Sequence, residues 1–365
     1  MAGIPDDRRS IYEFVVRQGN GLKGLMDLGI SEVPKPYVQP PEEMMENPEE
    51  VAIFDYPPID LSKLDGPEHD QVVQEIVTAA ERYGFFLVVN HGMPLELLES
   101  LKEAAHRFHD LPPVKKSGYL AGAGPSPAVR FASSFLPEKE EVWEWKDKLV
   151  MVYTNDDDAL AFWPPESRNP ALEYLKLSEI LVKKLLRILL GNLGVPLKHF
   201  ELDSLTRHRN VRMNYYPPCP DPRVTVGVGR HSDMTTLTVL VQDDIGGLFV
   251  KVEDDKVGGN GVGQWREIPP IPGALVINGG DLLEVLSNGR YKSPEHKVHA
   301  TKERARISVP CFTGPKDTEI VGPLPPAIEK AGGVPRYREM IFGDYVKHYF
   351  SIAHQGKKSL DFAKI

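Results

Sequence analysis

Arg230-His231-Ser232-Asp233 leads into Leu237-Thr238-Val239-Leu240-Val241. The apolar run has the length and β-branched content of a strand. Two potential metal ligands stand at its head, two positions apart. Side chains alternate faces along a strand, so the spacing predicts that His231 and Asp233 point the same way. A histidine and a carboxylate on one face supply half or more of a metal site. Taken alone they suit zinc, manganese, iron or no metal at all.

Around this stretch, after residue 205, short strands alternate with Gly, Pro, Asn and Asp. The candidates are Val211–Tyr216, Leu237–Val241, Leu248–Val252, Ala274–Asn278, Tyr291–His299 and Ile307–Phe312. Such repetition predicts a sandwich, barrel or jelly roll. Lys256 to Gly263 is Gly-rich, with too few apolar residues to pack, and is expected to be an exposed hairpin tip. It touches a GxGxxG pattern without the strand-to-helix context that nucleotide binding needs.

The first half has a different texture. Apolar periodicity predicts helices over 68–83, Met93–Leu111 and Pro170–Gly194, with a strand at Phe85–Val89. Helix, strand and helix ahead of a β-rich half predict an α+β class, an α/β cap on a sheet core. Before the cap, Ser10 is expected to start a short helix to Gln18 that Gly19, Gly21 and Gly24 interrupt. Pro34 to Pro48 reads as extended chain. Gly118 to Pro137 reads as a long loop carrying Arg130, Phe131 and Phe135, placed to serve as a substrate lid. Trp143 and Trp145 read as packing. Pro323 to Arg338 is a further loop, and Asp344 to Phe350 a terminal helix. The chain divides at these changes into 1–205, 206–316 and 317–365.

Composition excludes several classes. Hydrophobic content of 41% and charged content of 26% are ordinary for a soluble domain. No apolar run reaches the length of a membrane-spanning helix, and the polar N-terminus is no secretory signal. Two cysteines, Cys219 and Cys311, argue for a reducing compartment and read as small buried residues. Net charge is −9 with scattered basic residues, against nucleic acid as a partner. These facts favour a cytoplasmic protein without saying which kind; a monomer with a small-molecule partner is the accompanying expectation, not one that composition supplies.

A third ligand should come from another strand. Ser293-Pro294-Glu295-His296-Lys297-Val298-His299 offers two histidines, and beyond it Arg306-Ile307-Ser308 puts an arginine and a hydroxyl on one strand face. That pair suits a carboxylate. His231-x-Asp233, His296 and Arg306-x-Ser308 together resemble the plant non-haem iron(II)/2-oxoglutarate-dependent dioxygenases. Asn214-Tyr215-Tyr216-Pro217-Pro218-Cys219-Pro220, Gly84-Phe85-Phe86 with Asn90-His91-Gly92, Gly246-Gly247-Leu248 and Asn278-x-Gly280-Asp281 extend the resemblance over nearly the whole chain.

The resemblance implies a double-stranded β-helix (jelly-roll) core. It implies iron(II) on His231, Asp233 and His296, with no catalytic residue beyond the metal centre. 2-Oxoglutarate would meet Arg306, Ser308, Tyr216 and Asn214. Dioxygen is the second co-substrate, and ascorbate a supporting reductant. His91 and His299 match no ligand position. Lys297 stands where many relatives have Arg. Gly279 stands where Ile is common, so slightly looser packing is expected there.

Phe14 to Leu25, Tyr153-Thr154-Asn155-Asp156, Val226 to Asp233 and Gly356 to Phe362 are similar to the coumarin-pathway branch of that family. The implied reaction is hydroxylation of a phenylpropanoid ring: scopoletin at C8 to give fraxetin. The alternative is ortho-hydroxylation of feruloyl-CoA or p-coumaroyl-CoA. A flavonoid, alkaloid or hormone substrate and a non-catalytic jelly-roll binding protein are the remaining readings. Phe312, Met213, Met234, Phe131 and Phe135 are the candidates to line an aromatic substrate. A CoA thioester would need a basic mouth, for which Lys115, Lys116 and Arg130 are the candidates.

Overall fold

The apolar run at Leu237 is a strand in the interior of a large sheet. The computed structural model describes residues 7–45, 50–196, 202–253, 263–352 and 356–365. In chain order its strands begin β1 (Ile59–Asp60), β2 (Phe85–Val89), β3 (Val129–Ser133), β4 (Asp147–Tyr153), β5 (His208–Tyr216) and β6 (Val228–His231). They continue β7 (Leu237–Gln242), β8 (Leu248–Val252), β9 (Gln264–Glu267), β10 (Leu275–Gly279), β11 (His296–Val298) and β12 (Arg306–Gly314). The larger sheet has the order β1-β2-β10-β7-β12-β5-β4-β3, and the smaller β6-β11-β8-β9. Neighbours distant in sequence and antiparallel pairing make the jelly-roll core, with β1–β2 the parallel exception.

Alternation along these strands separates two environments. Leu149, Met213, Val239, Ile277 and Val309 point to one side of the larger sheet. There they pack against the helices His69–Arg82, Leu95–His109 and Arg168–Asn192 through Val72, Ile76, Leu101, Phe108, Leu175 and Leu185. The intervening positions turn the other way, toward the smaller sheet. The register puts Ser308 beside Asn214 and Gln242, and Leu240 beside Pro310 and Val276, so polar and apolar groups from β5, β7, β10 and β12 share one inner face. The site lies between the sheets.

The helices expected from periodicity are present within a few residues of their predicted ends. Four local features differ. First, the N-terminal helix starts at Arg8, because Asp7 accepts the Ser10 N–H at 3.0 Å and so takes the capping position. Second, Gly21 opens a helix, Gly21–Asp27, instead of interrupting one. A side chain there would come within 2.5 Å of buried Asp147, which accepts the Leu22 and Lys23 N–H groups at 2.8 and 2.9 Å. Third, part of the expected Gly118–Pro137 loop is strand β3, paired with β4, and the expected strand Tyr291–His299 is reduced to β11. Fourth, a helix, Pro325–Lys330, forms within the expected Pro323–Arg338 loop, and the terminal helix is longer, Phe342–Ile352. The expected hairpin tip at 256–263 lies, but for Gly263, outside the described residues; β8 and β9 on either side of it are paired. Strands β1 to β4 come from the first 205 residues, so the larger sheet crosses the division expected there.

Gly279 does not loosen the packing. A Cβ there would sit 2.8 Å from the Lys292 carbonyl oxygen, so the position is a close backbone approach with no gap to fill.

Two buried histidines make stability depend on pH. Burial pushes His109 and His299 down to about 3. Between about pH 6.5 and 3 these two histidines take up protons in the unfolded chain but not in the folded one, so their contribution to stability falls as pH drops through that window. The slope is at most about 1.4 kcal/mol per pH unit for each histidine. Glu140 and Asp281, pushed up by burial to about 7 and about 6, act with the opposite sign over the same range, so a comparison with a variant isolates the histidine. In urea unfolding the stability gap between wild type and His109→Gln should shrink from pH 7 to pH 5; a gap independent of pH would contradict the burial argument.

Candidate active site

His231, the last residue of β6, pairs directly with His296, the first residue of β11. Their ring centroids are 4.2 Å apart. Asp233 is not on a strand with His231. β6 ends at His231, and Ser232 to Thr236 form a turn before β7. Asp233 therefore reaches the face of His231 through a turn, not through strand alternation.

That turn is held from three directions. The Asp281 N–H donates to the Asp233 carbonyl at 2.6 Å, and the Gly280 N–H to the Thr236 carbonyl at 3.1 Å. Any Cβ on Gly280 would lie 1.9 Å from the Thr235 carbonyl oxygen, so only glycine allows the approach. From the terminal helix, the Tyr349 hydroxyl donates to the Ser232 carbonyl at 2.8 Å.

Each candidate ligand is oriented by a second contact. His231 Nδ1 is 2.9 Å from the Gly229 carbonyl and His296 Nδ1 3.3 Å from the Pro294 carbonyl. With Nδ1–H donating there, each Nε2 keeps its lone pair, and each lies 3.7 Å from Asp233 Oδ1. Asp233 Oδ2 accepts from Thr238 Oγ1 at 2.7 Å and Asn278 Nδ2 at 2.6 Å. Oδ1 is thereby left for a cation. Two imidazoles and one carboxylate, their donor atoms within 4.8 Å of one another, fit a divalent metal with open positions. Replacing Asn278 by alanine should weaken metal binding by about 10–100-fold, read by Co(II) or Fe(II) titration. Unchanged affinity would mean that Asn278 does not orient Asp233.

Deeper in the cavity Arg306 is fully buried. Its Nε donates to the Gly246 carbonyl at 2.5 Å and its Nη2 to Gln242 Oε1 at 3.0 Å. Nη1 is enclosed with no partner among the described residues. A buried guanidinium N–H left unpaired is costly, so the site is complete only with an anion against it. Beside it, Ser308 Oγ accepts from Asn214 Nδ2 at 3.2 Å and lies 3.5 Å from the Tyr216 hydroxyl. This end of the cavity fits a carboxylate, with Arg306 Nη1 and the Ser308 and Tyr216 hydroxyls placed to hydrogen-bond one.

The outer end is aromatic. Phe312, Met234 and Phe135 line it, with Phe350 stacked on Phe135 at 5.7 Å. Met213 and Phe131 do not reach it. Met213 adjoins Asn214 on β5 and so points to the helices, where it is fully buried. Phe131 packs against Phe108 and His109 on that same side. Lys146, Arg212, Thr238, Tyr349 and Phe350 line the cavity without having been singled out from the sequence. Arg212 could have been found, since it stands two residues before Asn214 and shares its face. Lys297 lies away from the cavity, its ammonium 4.6 Å over the Trp265 ring and pushed down to about 8 by burial.

Comparison with known proteins agrees with this geometry. Residues 207–315 match the 2OG-Fe(II) oxygenase superfamily, and residues 56–169 match the non-haem dioxygenase in morphine synthesis N-terminal family. The chain is 51% identical to a scopoletin 8-hydroxylase of Arabidopsis thaliana, over 98% of each chain. It is 46% identical to a bi-functional coumaroyl CoA and feruloyl CoA ortho-hydroxylase of Ipomoea batatas, over 97% of this chain and 96% of that one. Among solved structures, JOX2 in complex with 2OG, Fe and JA superimposes with a TM-score of 0.80 at 28% identity, covering 94% of this chain and 97% of that one. The chain belongs to the 2OG-Fe(II) oxygenase superfamily and is a 2-oxoglutarate-dependent dioxygenase that uses iron.

Proposed function

We propose that the enzyme hydroxylates a phenolic phenylpropanoid, with scopoletin at C8 as the substrate and position. The observation that carries this is one cavity holding a two-histidine, one-carboxylate cluster, an unpartnered buried arginine and an aromatic outer end. In this reading His231, Asp233 and His296 hold iron(II), and Arg306, Ser308, Tyr216 and Asn214 hold 2-oxoglutarate. Iron bound there supplies dioxygen activation, one oxygen atom going to the substrate and one to succinate as 2-oxoglutarate loses carbon dioxide. The protein's own groups do the rest. Arg306 and Ser308 fix the co-substrate's far carboxylate. Thr238 and Asn278 keep Asp233 turned inward. Phe135, Phe312, Phe350 and Met234 orient a flat ring and exclude water.

Similarity to the Arabidopsis enzyme supports scopoletin. Ortho-hydroxylation of feruloyl-CoA or p-coumaroyl-CoA is the second reading, supported by the Ipomoea relatives. One structural feature weighs against a CoA thioester. Lys116 is buried and donates to the Asn20 and His109 carbonyls, both at 3.2 Å, so it is committed and does not serve a phosphate. A cytoplasmic monomer is part of the same proposal. The two cysteines are free and buried, which suits a reducing compartment.

The test is incubation of iron-loaded enzyme and 2-oxoglutarate with scopoletin, feruloyl-CoA and p-coumaroyl-CoA, following product mass. A product one oxygen heavier from scopoletin alone is expected. Turnover of a thioester alone would move the assignment to the second reading, and turnover of none would overturn both.

A further inference from the structure

The outer wall of the cavity carries more positive charge than its protein partners cancel. Lys146 is buried there, its Nζ 2.7 Å from Glu144 Oε2. Glu144 is also buried, and its other oxygen accepts the Gly229 N–H at 2.8 Å. Arg212, on the neighbouring strand β5, stacks its guanidinium 4.5 Å over the Phe312 ring. Among the described residues that guanidinium has neither a hydrogen bond nor an ion pair, and its Nε is enclosed without a partner. Arginine stays protonated in proteins, so two cations face one carboxylate.

The other charged groups nearby do not supply the missing anion. Lys148, fully buried, donates to the Phe135 carbonyl at 3.1 Å, and burial holds its amine well below its ordinary range. Arg130 on β3 adds a further, exposed cation. Glu140, behind Glu144, is pushed up to about 7 by burial and accepts from Ser134 Oγ and the Leu136 N–H. Asp233 is turned to the two histidines, and the Tyr349 hydroxyl donates to the Ser232 carbonyl. Arg212 is therefore a half-buried cation, its Nε enclosed and its guanidinium unpaired among the described residues, set among rings that accept a planar ligand.

We propose that Arg212, with Lys146 beside it, binds a ring hydroxyl of the substrate as its phenolate, making the enzyme selective for free phenols over their ethers. This deepens the reading above and rests on it. An opposite charge within hydrogen-bonding reach favours the ionised form of an acid, so the phenol proton leaves to solvent on binding. The oxyanion then raises electron density at the ring carbons ortho and para to it. Arg212 and Lys146 act as specificity and positioning residues.

The experiment compares equilibrium binding of scopoletin and its O-methyl ether to the enzyme with 2-oxoglutarate present, by absorption and fluorescence. Wild type should bind the free phenol at least about tenfold more tightly, and the bound phenol should show the ionised absorption band about one pH unit below its own pKa. Arg212→Gln should lose both preferences while 2-oxoglutarate affinity and melting temperature hold; Arg212→Lys should restore part of each. Should Arg212→Gln fail to fold, the wild-type comparison decides. Equal binding of phenol and ether with a neutral band overturns the phenolate clamp, even if scopoletin is hydroxylated. An ionised bound ligand that yields no product keeps the clamp and overturns the proposed reaction. Binding of neither ligand overturns both.

Discussion

Replacing Asp233 by alanine should abolish metal binding and 2-oxoglutarate turnover together. Asp233 is the one anionic donor of the cluster, so the variant leaves two neutral imidazoles, too little to hold a hard divalent ion against water. The Thr238 hydroxyl and the Asn278 amide also lose their acceptor inside a buried site. Loss of an outer-shell partner alone costs about 10–100-fold in metal affinity, and loss of the ligand itself should exceed that. Metal titration and succinate release measure the effect. A melting temperature near wild type keeps the comparison clean, since the turn is held mainly through backbone contacts to Gly280 and Asp281. Uncoupled decarboxylation surviving in Asp233→Ala would place the metal elsewhere.

Arg306→Ala should raise the 2-oxoglutarate requirement steeply and change substrate affinity little. The variant removes the donor that stands unpartnered at the inner end of the cavity, while Ser308, Asn214 and Tyr216 remain. Truncating one member of a buried charged hydrogen-bond pair costs roughly 2–5 kcal/mol, or about 30- to 4,000-fold in affinity. Two-oxoglutarate titration at fixed metal reads it directly. An unchanged titration would exclude Arg306 from the co-substrate site. Arg306→Lys should recover only part of the loss, because an ammonium lacks the planar fork that also reaches Gly246 and Gln242.

Much of this arrangement is legible in the chain. The long helices follow from apolar periodicity, since each buries one stripe on the same sheet face. His231-x-Asp233 and Arg306-x-Ser308 stand out as chemically matched pairs at short spacing, His296 is picked out by the family resemblance, and the structure gathers all five residues in one cavity. Strand β4 is obscured because it carries Asp147 and Lys148, buried charges that break an apolar pattern. Without β4, neither Lys146 nor the direction of Phe131, which pairs with Leu149, can be placed. Met213 is a different case. Alternation that turns Asn214 into the cavity turns Met213 out of it, so its placement follows from the sequence once β5 is accepted. The turn at Asp233 depends on the close approach of Gly280, forty-seven positions on (280 − 233), which no local pattern reveals.

In the proposed reaction this cavity couples 2-oxoglutarate oxidation to hydroxylation of a phenolic ring. Turnover of scopoletin under isotopically heavy dioxygen tests it most directly, with product and succinate analysed by mass. One heavy oxygen in the hydroxylated product and one in succinate, in equal amounts, is the predicted result. Succinate formed without any labelled phenolic product would contradict it.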